Sequence, residues 1–90
     1  MFDVNEYGIH FVGDYDQNKR MSYTVENGDS VTLKIDDEDV NVKDIVQTGD
    51  NEYTGIVYDF GSSHGVTFMD LVLEQQVEFK FENIFSCGKQ

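Results

Sequence analysis

Ninety residues hold one hydrophobic core and not two, and the 39% apolar residues, with seven Phe and five Tyr among them, suffice to fill it. Charged residues make up 27% of the chain, an ordinary globular share that argues against wholesale disorder. Eighteen Asp and Glu against six Lys and Arg give a formal charge of −12, which repels phosphate backbones and anionic lipid and so excludes direct nucleic-acid binding.

No apolar run nears the roughly 20 residues of a bilayer-crossing helix. The start, Met1-Phe2-Asp3-Val4-Asn5-Glu6, has neither a basic n-region nor an apolar h-region, so the expectation is a cytoplasmic protein. Alanine and proline are absent, and 11 Val, 5 Ile and 5 Thr stand against three Leu, a mixture that favours strands.

In chain order, Tyr7, Ile9 and Phe11 recur at every second residue and predict a half-buried strand. Asp14-Tyr15-Asp16-Gln17-Asn18 then opens like a calcium loop. Its sixth position is Lys19 where a sharp turn needs Gly, and its twelfth is Val25 where a bidentate Glu is needed, so it reads as a polar hairpin loop. Met21, Tyr23 and Val25 mark a second strand and Val31, Leu33 and Ile35 a third. Between them Asn27-Gly28 takes positive φ readily and predicts a tight hairpin.

Asp36-Asp37-Glu38-Asp39 separates Ile35 from Val40 and Val42 and reads as a charged, solvated turn, and Thr48-Gly49-Asp50-Asn51 reads as another. Strands are predicted over 53–60, 66–73 and 77–81. One or two helical turns over 69–76 are the alternative, giving an α+β variant. Residues 86–90 carry few apolar anchors and are expected to fray.

Short strands with turns at this spacing predict one all-β domain over residues 1–90, a small antiparallel barrel or sandwich. In the second half Asp44-Ile45-Val46, Tyr53-Thr54-Gly55-Ile56-Val57, Val77-Glu78-Phe79 and Glu82-Asn83-Ile84-Phe85 follow as strand, loop, Gly-marked strand, strand and closing turn. That order resembles the SH3-like barrels. The resemblance is architectural, covers about half the chain and carries no activity or binding residue with it.

Gly61-Ser62-Ser63-His64-Gly65 matches the Gly-x-Ser-x-Gly of a nucleophile elbow, but Val66-Thr67-Phe68 looks extended where a helix is required and no histidine follows His64. It reads as a turn. Cys87 is the only cysteine, so no intrachain disulfide forms, and its expected role is a small, partly buried thiol near the end. His10 and His64 are read as a strand and a turn position, without a visible reactive partner. No catalytic, cofactor-binding or metal-ligating residue is assigned.

The expected function is therefore non-enzymatic: an interaction domain whose acidic surface engages a protein partner, a basic one by charge. Candidate contacts are Tyr15 and Tyr53, which border polar turns, with Asp36, Asp37, Glu38 and Asp39; Tyr23 and Tyr58 are expected to cover the core. The alternatives are DNA mimicry, in which carboxylates stand in for phosphates on a nucleic-acid-binding protein, and a barrel taking a small ligand in its mouth. A weak homodimer through 56–58 and 79–81, strengthened by salt, is also expected.

Overall fold

The computed structural model describes residues 2–12, 24–61, 67–68 and 71–88, of which 67–68 by their backbone alone. Strand β1 spans His10–Val12, β2 Ser30–Ile35, β3 Glu38–Gly49, β4 Glu52–Phe60, β5 Thr67–Phe68, β6 Leu71–Val72, β7 Gln76–Lys80 and β8 Ser86–Gly88. A 3-10 turn at Phe81–Asn83 separates β7 from β8. Six strands form one sheet in the order β1-β8-β2-β3-β4-β7, and β5 and β6 form a separate small hairpin. The chain is all-β, as its residue mixture implies.

The expected antiparallel barrel needs correction on two points. β8 inserts between β1 and β2 and runs parallel to β1, pairing Phe11 with Cys87, so the sheet is mixed. The sheet is also open, because among the described residues β1 pairs only with β8 and β7 only with β4. Closure requires the outer edges of the two outermost strands to meet, and among the described residues β1 and β7 are not paired with each other.

Alternation puts one sheet face inside. Val31, Leu33 and Ile35 of β2 face Val40, Val42 and Ile45 of β3, and Tyr53, Val57 and Phe60 of β4 continue the same face to Val77 and Phe79 of β7. Leu71, Ile84 and Cys87 complete this cluster, and Phe2, Ile9, Phe11, Val25 and Leu73 pack against its margin. Each fully buried Leu or Ile contributes about 1.5–3 kcal/mol.

The long β3 bends where Asp44 takes a left-handed φ of 52° and the register slips between Lys43 and Val46, which turns Ile45 inward. The bend brings β3 close to β4. A Cβ on Gly55 would lie 2.3 Å from Val42 Cγ1 and 3.0 Å from Ile45 Cγ2, so the approach requires glycine there.

The Asn27-Gly28 turn is present, with Gly28 at φ 92° and the Asp29 N–H donating to the Glu26 carbonyl at 3.1 Å. Among the described residues it does not join two paired strands. Val25 lies in irregular backbone, Met21 and Tyr23 fall outside the described residues, and the turn docks instead on β3. There Gly28 N–H donates to the Ile45 carbonyl at 2.9 Å, and Ile45 N–H to that of Asp29 at 3.3 Å.

The acidic turn is shorter than expected. Ile35 pairs with Glu38 across Asp36 and Asp37, whose φ values of 50° and 67° are those of a two-residue type I′ hairpin, and Glu38 and Asp39 belong to β3. Asp50 and Asn51 connect β3 to β4, as read from Thr48-Gly49-Asp50-Asn51.

The single strand predicted over 66–73 is two, with Thr67 paired to Val72 and Phe68 to Leu71. The helical alternative over 69–76 is excluded for its described part: Leu71–Val72 is strand and Glu74 adopts a left-handed φ of 70°. The closing turn is the 3-10 turn at Phe81–Asn83. Ser86–Gly88, expected to fray, is an inner strand bonded on both sides, because Cys87 is a fully buried anchor. Tyr7, assigned to the first strand, is exposed ahead of the left-handed Gly8, while Ile9 and Phe11 do face the core.

Candidate functional site

The structure separates the predicted contact residues. Asp36 and Asp37 sit exposed at the tip of the β2–β3 hairpin, and their N–H groups donate to the Asp3 carboxylate at 3.2 and 3.0 Å. The tip thus collects a third carboxylate from the N-terminal segment, which also bonds along β2 through Asp3 N–H to the Lys34 carbonyl. Glu38 and Asp39 are half-buried. Asp39 pairs with Lys34 at 3.0 Å, and the Lys34 ammonium lies 5.5 Å from the Phe85 ring centre.

The tyrosines exchange roles. Tyr53, expected at the surface, is only 6% exposed and stacks on Phe79 with ring centres 5.7 Å apart. Its place next to the β3–β4 turn suggested exposure, but the β4 alternation turns it inward beside Gly55 and Val57. Burial pushes its hydroxyl pKa above the ordinary 10.0, and the neighbouring Cys87 adds to the rise. Tyr58, expected in the core, is 41% exposed, because the alternation that turns Tyr53, Gly55 and Val57 inward turns Tyr58 outward; the slip between Asn41 and Val42 acts after it and brings Phe60 inward. Tyr15 lies outside the described residues, as do the calcium-like loop and residues 62–65 of the elbow-like turn.

Cys87 is fully buried, and its thiol donates to the Asp29 carboxylate at 3.6 Å. His10 is exposed and opposite Ser86, so it forms no Cys/His pair with Cys87. Among the described residues no group of three or more His, Cys, Asp and Glu could hold a metal ion. No helix among them is long and apolar enough to cross a membrane.

What the sequence reading missed is the open side of the sheet. A groove of about 480 Å³ runs between the start of β4 and the 3-10 turn, with Phe2, Tyr53 and Phe79 as its apolar part and Glu52, Glu78 and Glu82 as its acidic part. A second groove of about 360 Å³ follows β7 in the other direction past Val77, Gln76 and Leu71. The two share Phe2 and Glu78. Asn83 Nδ2 donates to the carbonyls of Phe2 and Asp3, which fixes the N-terminal segment as one wall.

The acidic groups of the groove are available. Glu52, Glu78 and Glu82 are exposed, and no side chain among the described residues pairs with their carboxylates. Among the described residues Lys80 is the single cation lining the groove. Apolar rings and surplus carboxylates thus line one groove at the edge of the sheet. The alternation of Val77-Glu78-Phe79-Lys80 was the only signal in the sequence that could have located this edge.

No protein-family model matches the chain, and neither a curated protein nor a solved structure is found similar to it.

Proposed function

We propose that this chain is a non-enzymatic interaction domain whose acidic surface engages a basic protein partner. The observation that carries the reading is the groove beside β7, lined by Phe2, Tyr53 and Phe79 and by Glu52, Glu78 and Glu82, whose carboxylates no side chain among the described residues pairs. The exposed hairpin tip with Asp3, Asp36 and Asp37 extends the negative field away from that groove and increases the encounter rate with a cationic surface. We also read the second half as SH3-like in its strand order. In support stand the succession of β3, a β4 marked by Gly55, β7, a 3-10 turn and β8.

The test is a calorimetric titration with an oligolysine peptide of about ten residues, with oligoglutamate and duplex DNA of similar length as comparison. The oligolysine is expected to bind with an affinity that falls severalfold as salt rises and the screening length shortens to about 8 Å. Absence of binding at low salt, or equal binding of oligoglutamate, rejects the reading.

A further inference from the structure

We infer that the edge of β7 left uncovered by the described strands receives an extended, lysine- or arginine-bearing segment of the partner as an added strand. This rests on the reading of the domain as a module for a basic partner, and adds where and in what conformation that partner sits.

The hydrogen-bond parity of β7 carries the inference. Phe81 N–H donates to the Asn51 carbonyl at 3.1 Å, and Val57 N–H to the Gln75 carbonyl at 2.9 Å. In an antiparallel ladder the bonded positions alternate, so residues 75, 77, 79 and 81 turn their main chain toward β4. Gln76, Glu78 and Lys80 then turn theirs outward. The Lys80 N–H is already taken by Asn83 Oδ1 at 2.8 Å, which ends the open stretch. Among the described residues no main-chain or side-chain group takes the N–H and carbonyl groups of Gln76 and Glu78, which leaves them to an incoming strand.

Space and charge agree with this parity. The two grooves meet at Glu78 and together follow β7 along its length. A strand laid there passes the carboxylates of Glu78 and Glu82, which no side chain among the described residues pairs. Cationic side chains satisfy them, whereas a second copy of this chain brings another −12 and another Glu78 to the same edge. Main-chain bonds supply the docking and the carboxylates select the sign of the segment.

The probe is a seven-residue peptide of alternating lysine and valine, blocked at both ends, beside the same peptide with every internal amide N-methylated. The unmodified peptide is expected to bind and to slow amide exchange of Gln76 and Glu78, and N-methylation to weaken binding roughly tenfold or more. The exposed substitution Glu78→Lys is expected to weaken it to a similar extent, and the tip variant Asp36→Asn with Asp37→Asn by less than about threefold. Equal binding of the N-methylated peptide overturns strand addition while leaving the basic-partner reading intact. No binding by either peptide overturns both. Protection of Gln76 and Glu78 that grows with protein concentration in peptide-free samples gives the edge to a second copy and also overturns the inference.

Discussion

The Cys87 thiol donates to the Asp29 carboxylate across 58 residues of chain, and both groups lie in the core. The same carboxylate oxygen accepts the Glu26 N–H at 2.9 Å, so one buried Asp ties the inner strand β8 to the Asn27-Gly28 turn. Asp29→Ala leaves both donors without that acceptor and is expected to cost about 1–3 kcal/mol in urea unfolding. Asp29→Asn keeps an acceptor oxygen and is expected to cost less. Equal losses from the two variants would assign the effect to packing and not to these bonds.

Gly55→Ala is expected to be the most damaging of the conservative changes in β4. The new methyl would overlap Val42 Cγ1 at 2.3 Å and approach the Lys43 carbonyl at 3.1 Å, and backbone cannot yield as a flexible side-chain end does. A loss of about 1–3 kcal/mol or more follows from overpacking of this kind. Thermal unfolding measures it, and a parent-like melting temperature would mean that β3 does not approach β4 this closely.

Two turns predict opposite signs. Gly28 sits at φ 92°, and Gly28→Val places a β-branched residue in that conformation, at a cost of about 1–3 kcal/mol. Asp37 sits at φ 67° in a type I′ turn that favours glycine, so Asp37→Gly is expected to leave stability unchanged or raise it by up to about 1 kcal/mol. Chemical denaturation of the two variants side by side checks the contrast.

Tyr53 makes stability depend on alkaline pH. Its hydroxyl pKa in the folded chain is raised above the ordinary 10.0, first by burial and then by Cys87, so the unfolded chain releases that proton more readily. The contribution is fully present below pH 10.0 and is lost as pH rises from there through the higher folded value. Tyr53→Phe keeps the ring that stacks on Phe79 and is expected to flatten the alkaline fall in melting temperature relative to the parent. An unchanged fall would remove Tyr53 as its source.

The residue pattern by itself determined the all-β class, most of the strands and the turns at Asn27-Gly28, Asp36-Asp37 and Asp50-Asn51, because side-chain alternation and positive-φ preference are local properties. It also determined the acidic character that any partner must meet. Only the tertiary structure decided which strands are edges. Ser86-Cys87-Gly88 carries one apolar residue and reads as a loose end, yet its parallel pairing with β1 and antiparallel pairing with β2 put it inside the sheet. Bulges likewise escaped the reading, since one extra residue in β4 exchanges inward and outward positions beyond Val57 and brings Phe60 into the core. The groove beside β7 joins Phe2 to Tyr53, Phe79 and Glu82. No local spacing relates those residues; long-range strand order brings them together along the side of β7 that no described strand covers.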